Sequence, residues 1–181
     1  MQSPKFYRTL AKKSLKTDVH VQMASASDAV SLFRLYDPGT FPDEERHMLV
    51  FREQLADPEQ AGFWITAKRK DKIVVGVNLL EFEEGEGSYA GWWIFGMKVN
   101  WRYRGLGIRE KLLTRAEEIA EKKKAQEIKL LVFQDATPAI NLYRKMGYRR
   151  ISIPELDKQL DEEAKKTLRR RMILAKDIRS G

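Results

Sequence analysis

The stretch VNWRYRGLGIR, residues 99–109, decides the fold of this chain. It follows an apolar, aromatic run over 92–99 and precedes an amphipathic pattern, which predicts a strand, a glycine-bearing turn and a helix. Such a turn aims backbone N–H groups and a helix N-terminus at one point, an arrangement that suits a phosphate group. Gly105 and Gly107 have no Cβ, so a ligand can approach the backbone closely.

Two better-known phosphate-binding motifs do not fit these residues. A dinucleotide site needs the pattern G-x-G-x-x-G, and the third glycine is replaced by Glu110. The pattern G-x-x-x-x-G-K-[ST] of a nucleotide P-loop does not occur. Taken alone, the turn therefore fits a phosphate site and an ordinary tight turn about equally well.

The rest of the chain predicts strands and helices that alternate around this turn. The residues at 92–133 form a strand–helix–strand unit, so we expect its two strands to be parallel with a right-handed crossover. Asp28 and Thr137 stand where they can cap helices. The predicted strands are 19–23, 62–69, 73–83, 92–99, 128–133, 148–153 and 170–176, and the predicted helices are 28–35, 43–55, 107–124, 138–146 and 154–167.

Residues 99–113 resemble the acyl-CoA-binding motif of the GNAT superfamily of N-acyltransferases. That motif is a strand, then [Q/R]-x-x-G-x-[G/A], then a helix. It can begin at Arg102 or at Arg104, and the spacing from Val99 favours Arg104. This register puts Arg109 where the family usually has Gly or Ala, and an arginine can itself reach a phosphate.

A second match lies at 130–148, where LLVF is followed by a short helical segment. The family's late motif is a strand, a helix carrying A-[I/x]-x-[L/F]-Y, and a hydrophobic-Gly-aromatic ending. The matching letters run from Ala139 through Tyr143 to Tyr148. Ala136 stands where the family often has Asn, so that contact to the cofactor is not expected here.

The resemblance implies an α/β fold of the GNAT type. Its central sheet is mixed (α+β) and mostly antiparallel, with one splayed parallel strand pair and helices on both sides. We expect one acyltransferase domain over 17–181, preceded by a basic arm at 1–16 that contains five Lys or Arg residues and no acid.

The resemblance also implies acetyl-CoA as cosubstrate and a primary amine as acceptor. The resemblance makes Tyr143 the candidate acid for the CoA thiolate, whereas the pattern of its helix alone favours a core aromatic. The base is not identifiable, and Glu81 or Glu83 could serve through water. Cofactor binding is expected from the backbone of Met97, Lys98 and Val99, with the Val99 N–H near the thioester carbonyl, and from the turn residues Arg104, Gly105, Leu106, Gly107, Ile108 and Arg109.

An acceptor pocket is expected near the first two helices. Tyr36, Asp37 and Phe41 lie in the predicted loop between these helices, where the family shapes that pocket. Trp92 and Trp93 could also line it, although tryptophans in strands are more often core residues.

The composition of the chain argues against several classes of functional site and cellular location. The chain has 181 residues, no cysteine and two isolated histidines, which argues against a metal site, a thiolate nucleophile or a Ser-His-Asp triad. No apolar run approaches the ~20 residues of a membrane span, and no apolar core of a signal peptide occurs, so a cytoplasmic protein is expected. The net charge of +8 admits a nucleic-acid partner, but no aromatic-rich RNA-binding motif supports one.

The sequence therefore predicts an N-acetyltransferase, acting as a monomer or homodimer. The alternative is a CoA-binding regulatory module of the same fold without turnover, because the strand before the glycine turn has no Glu to act as base.

Overall fold

The computed structural model of the protein describes residues 19–36, 44–57, 62–83, 85, 87–99 and 101–178. The predicted basic arm at 1–16 and the expected pocket residues Asp37 and Phe41 lie outside these ranges. The described strands and helices follow one another along the chain in the order that the sequence predicts.

The strands are β1 (Val19–Met23), β2 (Phe63–Arg69), β3 (Lys72–Phe82), β4 (Gly91–Val99), β5 (Glu127–Phe133), β6 (Arg149–Ile151) and β7 (Arg171–Asp177). They form one sheet in the order β1-β2-β3-β4-β5-β7-β6. The pairs β1–β2, β5–β7 and β6–β7 are antiparallel, whereas β4 and β5 run parallel. The mixed sheet with one parallel pair and flanking helices confirms the predicted fold class.

Five α-helices occur in the described part of the chain, and all five were predicted. The charged helix over 154–167 has the predicted bounds. The strand predicted at 148–153 is shorter in the structure, because only three of its residues pair with β7. The helices are α1 (Ala29–Tyr36), α2 (Glu44–Ala56), α3 (Ile108–Lys122), α4 (Thr137–Lys145) and α5 (Pro154–Thr167).

Two helix starts differ from the sequence prediction. Asp28 does not cap α1, because a short 3-10 turn precedes the helix and Ser25 is the capping residue. The Asp28 carboxylate instead accepts the backbone N–H of Ser25 at 3.0 Å. At α4, Ala136 is the capping residue and Thr137 is already helical.

The chain divides into two compact units, and each has its own apolar cluster. The first comprises Met1–Asn78 and Gly96–Arg115. In it, buried residues of α1 and α2 such as Leu32 and Leu55 form a cluster, against which Trp64 of β2 packs. The ring of Trp64 meets Phe51 edge-on at 5.2 Å between centroids, so α2 is fixed to β2 through aromatic contacts.

The second unit comprises Leu79–Phe95 and Ala116–Gly181. Here β5 pairs with β7 over seven residues, from Glu127 opposite Asp177 to Phe133 opposite Arg171. The apolar face of α5 buries Leu156 and Leu160 against Trp93 and Ile173. This burial explains why a helix of mostly charged residues is stable at this position.

A partly buried ion pair connects the 3-10 turn before α1 to β2 in the first unit. The Lys68 ammonium contacts the Asp28 carboxylate, and the two side chains are 16% and 9% exposed. Burial alone would raise the pKa of Asp28, but hydrogen bonds from Lys68 and Ser25 and the charge of Lys68 hold it below its usual value. The pair therefore stabilises the fold above about pH 4, the ordinary range of an unfolded Asp, and loses its effect as the pH falls through the lowered pKa.

Asp28→Asn is expected to lower the free energy of unfolding by about 1–3 kcal/mol at pH 7, because it leaves Lys68 without its counter-charge. Urea unfolding at pH 7 and at lower pH measures this, and the difference from wild type should shrink as the pH falls below about 4. Glu162→Gln is the matched control, since Glu162 pairs with Lys165 on the surface with both side chains more than half exposed. It should cost at most about 0.5 kcal/mol. Equal losses in the two variants would contradict the role assigned to Asp28.

Candidate functional site

The glycine turn has the structure that the sequence predicts. After β4, residues Trp101–Tyr103 form a 3-10 turn, and α3 begins at Ile108. Gly105 and Gly107 have φ angles of 75° and 72°, in the left-handed region where other residues are strained. The glycines are therefore needed for the backbone path of the turn.

The turn presents backbone rather than side chains at its open face. A Cβ built on Gly105 or Gly107 would meet no other atom within 4 Å, so this face is accessible. Between and after the glycines, Leu106 and Ile108 are buried and anchor the turn in the core. The first N–H groups of a helix have no acceptor within the helix, so the start of α3 offers free donors beside the glycines.

The charge around the turn is mainly positive. Arg102 and Arg104 are exposed, and Lys111 lines a cavity of about 420 Å³ with Gly107, Glu110 and Thr114. The Nε of Arg109 is buried and has no hydrogen-bond partner among the described residues. A helix N-terminus with several nearby cations favours an anionic ligand.

The end of β4 carries the backbone expected to pair with a ligand. Met97 is half-buried, Lys98 is exposed and Val99 is buried. Just before them, Gly96 has a φ angle of 63°, which is unusual inside a strand. The Tyr36 hydroxyl donates a hydrogen bond to the Gly96 carbonyl.

The sequence does not predict this contact, because its pattern indicates a loop at Tyr36. The structure places Tyr36 at the end of α1 instead. An isolated glycine within an apolar strand is a signal for a bend or a close approach, so Gly96 could have marked the position but not its partner.

A second feature that the sequence did not predict is a cation-lined cavity of about 580 Å³ at the β2–β3 hairpin. The hairpin and the 3-10 turn bring four basic side chains and one acid to its wall. The lining residues are Arg69, Lys70, Asp71, Lys72, Ile73, Val74, Arg102 and Tyr103.

In the second unit, the parallel pair begins at Trp92 opposite Ile128 and ends at Ile94 opposite Leu130. Both strands continue past this register, β4 to Val99 and β5 to Phe133. Trp92 and Trp93 are both buried, as is usual for tryptophans in strands.

Tyr143 lies on the buried face of α4. Its side chain is 7% exposed, and its ring meets Tyr148 edge-on at 5.8 Å between centroids. Gly147 ends this helical segment with a φ angle of 91°, the left-handed conformation typical of that position. The role of Tyr143 as an acid stays a prediction.

Glu81 and Glu83 are exposed and flank the half-buried Phe82. Phe82 packs against Tyr89 and Phe95, with ring centroids 5.8 Å and 6.0 Å away. Since side chains alternate along a strand, Glu81 of β3 lies on the opposite side from this aromatic cluster, whereas Glu83 follows the end of the strand. Their role as bases also stays a prediction. The described residues contain no group of three or more His, Cys, Asp or Glu side chains that could hold a metal ion.

Residues 27–148 match the sequence model of the acetyltransferase (GNAT) family, a span of about two thirds of the chain. The chain belongs to the GNAT acetyltransferase family. The span includes the glycine turn and ends at Tyr148, so it covers both motifs on which the resemblance was based. No curated protein matches the chain at a significant level.

Solved structures with the same fold cover nearly the whole chain. The ribosomal-protein-alanine N-acetyltransferase of Brucella melitensis has a TM-score of 0.65 and 16% identity, and the match covers 87% of this chain and 99% of that one. A Salmonella typhimurium structure with its cofactor acetyl-CoA has a TM-score of 0.66 and 9% identity, covering 91% and 96%. The PaiA N-acetyltransferase of Thermoplasma acidophilum, in complex with coenzyme A, has a TM-score of 0.55 and 14% identity, covering 88% and 98%.

Because the sequence identities are low, these similarities show that the GNAT protein shares the fold of these structures and show nothing about its substrate. Among the described helices, none has both the length and the apolar character needed to cross a membrane.

Proposed function

We propose that this protein is a cytoplasmic N-acetyltransferase that transfers the acetyl group of acetyl-CoA directly to a primary amine of a small molecule or peptide. The observation that carries the proposal is the glycine turn at the start of α3. Its open face, its positive-φ glycines and its cations suit a pyrophosphate, and the chain belongs to a family of acetyltransferases.

In this proposal the turn holds the cofactor through main-chain donors. The N–H groups from Gly105 to Arg109 bind the pyrophosphate, and the Arg104 guanidinium adds charge. The backbone of Met97, Lys98 and Val99 pairs with the pantetheine arm. The Val99 N–H then donates to the thioester oxygen, on which negative charge builds as the reaction proceeds.

The transfer needs few further groups. The neutral amine attacks the thioester carbon, the C–N bond forms, the C–S bond breaks, and the thiolate takes a proton from the Tyr143 hydroxyl. The amine loses a proton to a water molecule, and that water passes a proton on to the carboxylate of Glu81 or Glu83. No covalent intermediate on the protein is required, which is compatible with a chain without cysteine.

Gly107→Val is expected to abolish most of the stabilisation that acetyl-CoA gives. Acetyl-CoA at a hundred times its Kd should stabilise the wild type by about 2.7 kcal/mol by mass action. A branched side chain at Gly107 would occupy the accessible face over which the pyrophosphate approaches. Thermal unfolding with and without acetyl-CoA measures the effect.

Gly85→Val is the matched control for that experiment. Gly85 also has a positive φ, of 98°, and a Cβ there also meets no atom within 4 Å. Both variants should therefore lose similar stability from backbone strain, while only Gly107→Val loses the ligand effect. If neither acetyl-CoA nor CoA shifts the wild-type midpoint at millimolar concentration, the proposed function is wrong.

Tyr143→Phe should lower kcat by about 10²-fold, with a modest change in the affinity for acetyl-CoA. The substitution keeps the ring that packs on Tyr148 and removes only the hydroxyl. Tyr89→Phe, which removes a hydroxyl from another aromatic cluster, should leave kcat unchanged. An unchanged kcat together with a lower thermal midpoint for Tyr143→Phe would make Tyr143 a packing residue.

Neutralising Glu81 and Glu83 together should raise the KM for a cationic amine more than the KM for acetyl-CoA. The two exposed carboxylates would attract a cation and repel the phosphates of the cofactor. The control is Glu155→Gln with Glu162→Gln, which changes the net charge equally on α5. Equal changes in both KM values would remove this role from Glu81 and Glu83.

A screen of amines with release of free CoA thiol as the readout tests the whole proposal. Turnover with any amine supports an enzyme. Binding of acetyl-CoA without turnover across the panel would instead favour the alternative, a CoA-binding regulatory module.

A further inference from the structure

The Tyr36 hydroxyl contacts the backbone of β4. It donates a hydrogen bond to the carbonyl of Gly96. The acceptor residue is a glycine in the left-handed conformation, one position before Met97.

The ring of Tyr36 fits a space that two glycines leave open. A Cβ on Gly96 would lie 3.0 Å from the Tyr36 ring, and a Cβ on Gly76 would lie 3.1 Å from the ring and from its hydroxyl. Both distances are too short for an ordinary contact. Gly76 and Gly96 belong to the neighbouring strands β3 and β4, so this part of the sheet accommodates the ring only because both residues are glycines.

Further contacts fix Tyr36 from other directions. Its ring meets Trp64 edge-on at 5.0 Å between centroids. The Lys98 ammonium donates to the backbone carbonyl of Tyr36 at 3.1 Å and lies 5.9 Å from the ring centroid. The end of α1 and the end of β4 are thus linked by three separate interactions, and the hydroxyl has little freedom to move away from Gly96.

The hydroxyl also stays a donor over the whole range of working pH. Burial raises the pKa of the Tyr36 phenol well above its ordinary value, and the Lys98 N–H offsets only part of that rise. A neutral phenol keeps its proton for the Gly96 carbonyl.

We propose that Tyr36 is a positioning residue that sets the direction of the backbone N–H groups of Met97 and Val99. This inference rests on the proposed function, which assigns those groups to the pantetheine arm and the thioester. The Gly96 carbonyl and the Met97 N–H belong to one planar trans peptide and point in opposite directions, so a hydroxyl held on that carbonyl directs the Met97 N–H to the other edge. Backbone groups alternate along the strand after Met97, so the Val99 N–H points to the same edge as the Met97 N–H.

Tyr36→Phe tests the proposal, because it keeps the ring between the two glycines and removes the hydroxyl. With the acceptor amine from the screen, kcat should fall by about 10- to 100-fold, while the KM for acetyl-CoA changes by less than about threefold. The Kd for CoA, which has the pantetheine arm but no thioester, should likewise change by less than about threefold. Tyr89→Phe should match the wild type in all three measurements.

A spectroscopic measurement makes the test independent of the acceptor. A hydrogen bond from the protein weakens the C=O bond, so the carbonyl stretch of bound [1-¹³C]acetyl-CoA should lie below its free value in the wild type. In Tyr36→Phe it should return toward the free value. Amide hydrogen exchange of residues 96–99 should also be faster in the variant, since the backbone is less restrained.

The outcomes separate this inference from the proposed function. A wild type that does not bind acetyl-CoA would overturn the proposed function and this inference with it. If the wild type binds acetyl-CoA but Tyr36→Phe has the same kcat and the same carbonyl frequency as the wild type, the inference alone is overturned. Equal losses in kcat and in CoA affinity would show that Tyr36 acts only through general stability.

Discussion

Parallel pairing of β4 with β5 is the constraint on which the rest of this structure depends. Two parallel strands cannot be joined by a hairpin, so the chain must return across the sheet before β5 begins. Helix α3 makes that return, and it starts only a few residues after β4 ends. The glycine turn therefore lies where a strand end and a helix N-terminus meet, the usual position of ligand sites in open sheets with parallel strands.

The candidate site consists largely of main chain. Gly96, Gly105 and Gly107 all take positive φ angles around the end of β4, and each adopts a conformation that other residues reach only with strain. Side chains such as Leu106 hold the backbone in place from the core side. A site made of N–H groups restricts the conformation of the backbone, but it leaves most side chains free to differ between proteins. This explains how structures with 9% to 16% identity can share the fold.

The sequence predicted the fold well because its strongest signals are local. The amphipathic pattern of α3, the glycines of the turn and the apolar run of β4 all depend on neighbours a few residues away, and each element appears in the structure. The cap at α1 was assigned to Asp28 instead of Ser25, because the sequence gives no sign of the intervening 3-10 turn.

Contacts between residues that are far apart in the sequence could not be predicted from such local patterns. The hydrogen bond from Tyr36 to Gly96 spans 60 residues, and the hairpin cavity brings Arg102 beside residues 69–74. Periodicity cannot reveal either, since both depend on how elements pack. The assigned site residues, Tyr143 among them, stay predictions for the same reason, because an edge-on contact with Tyr148 is compatible with packing and with catalysis.

The position of β7 has a consequence for how the protein is made. Of the described strands β7 is the last in sequence, yet it lies between β5 and β6 in the sheet. While the chain emerges from the ribosome, β5 and β6 have no partner at these edges until residues 171–177 are available. Unpaired strand edges are templates for aggregation, so the nascent protein passes through a vulnerable interval that lasts until β7 has been made. A premature stop that removes these few residues would leave both edges open permanently.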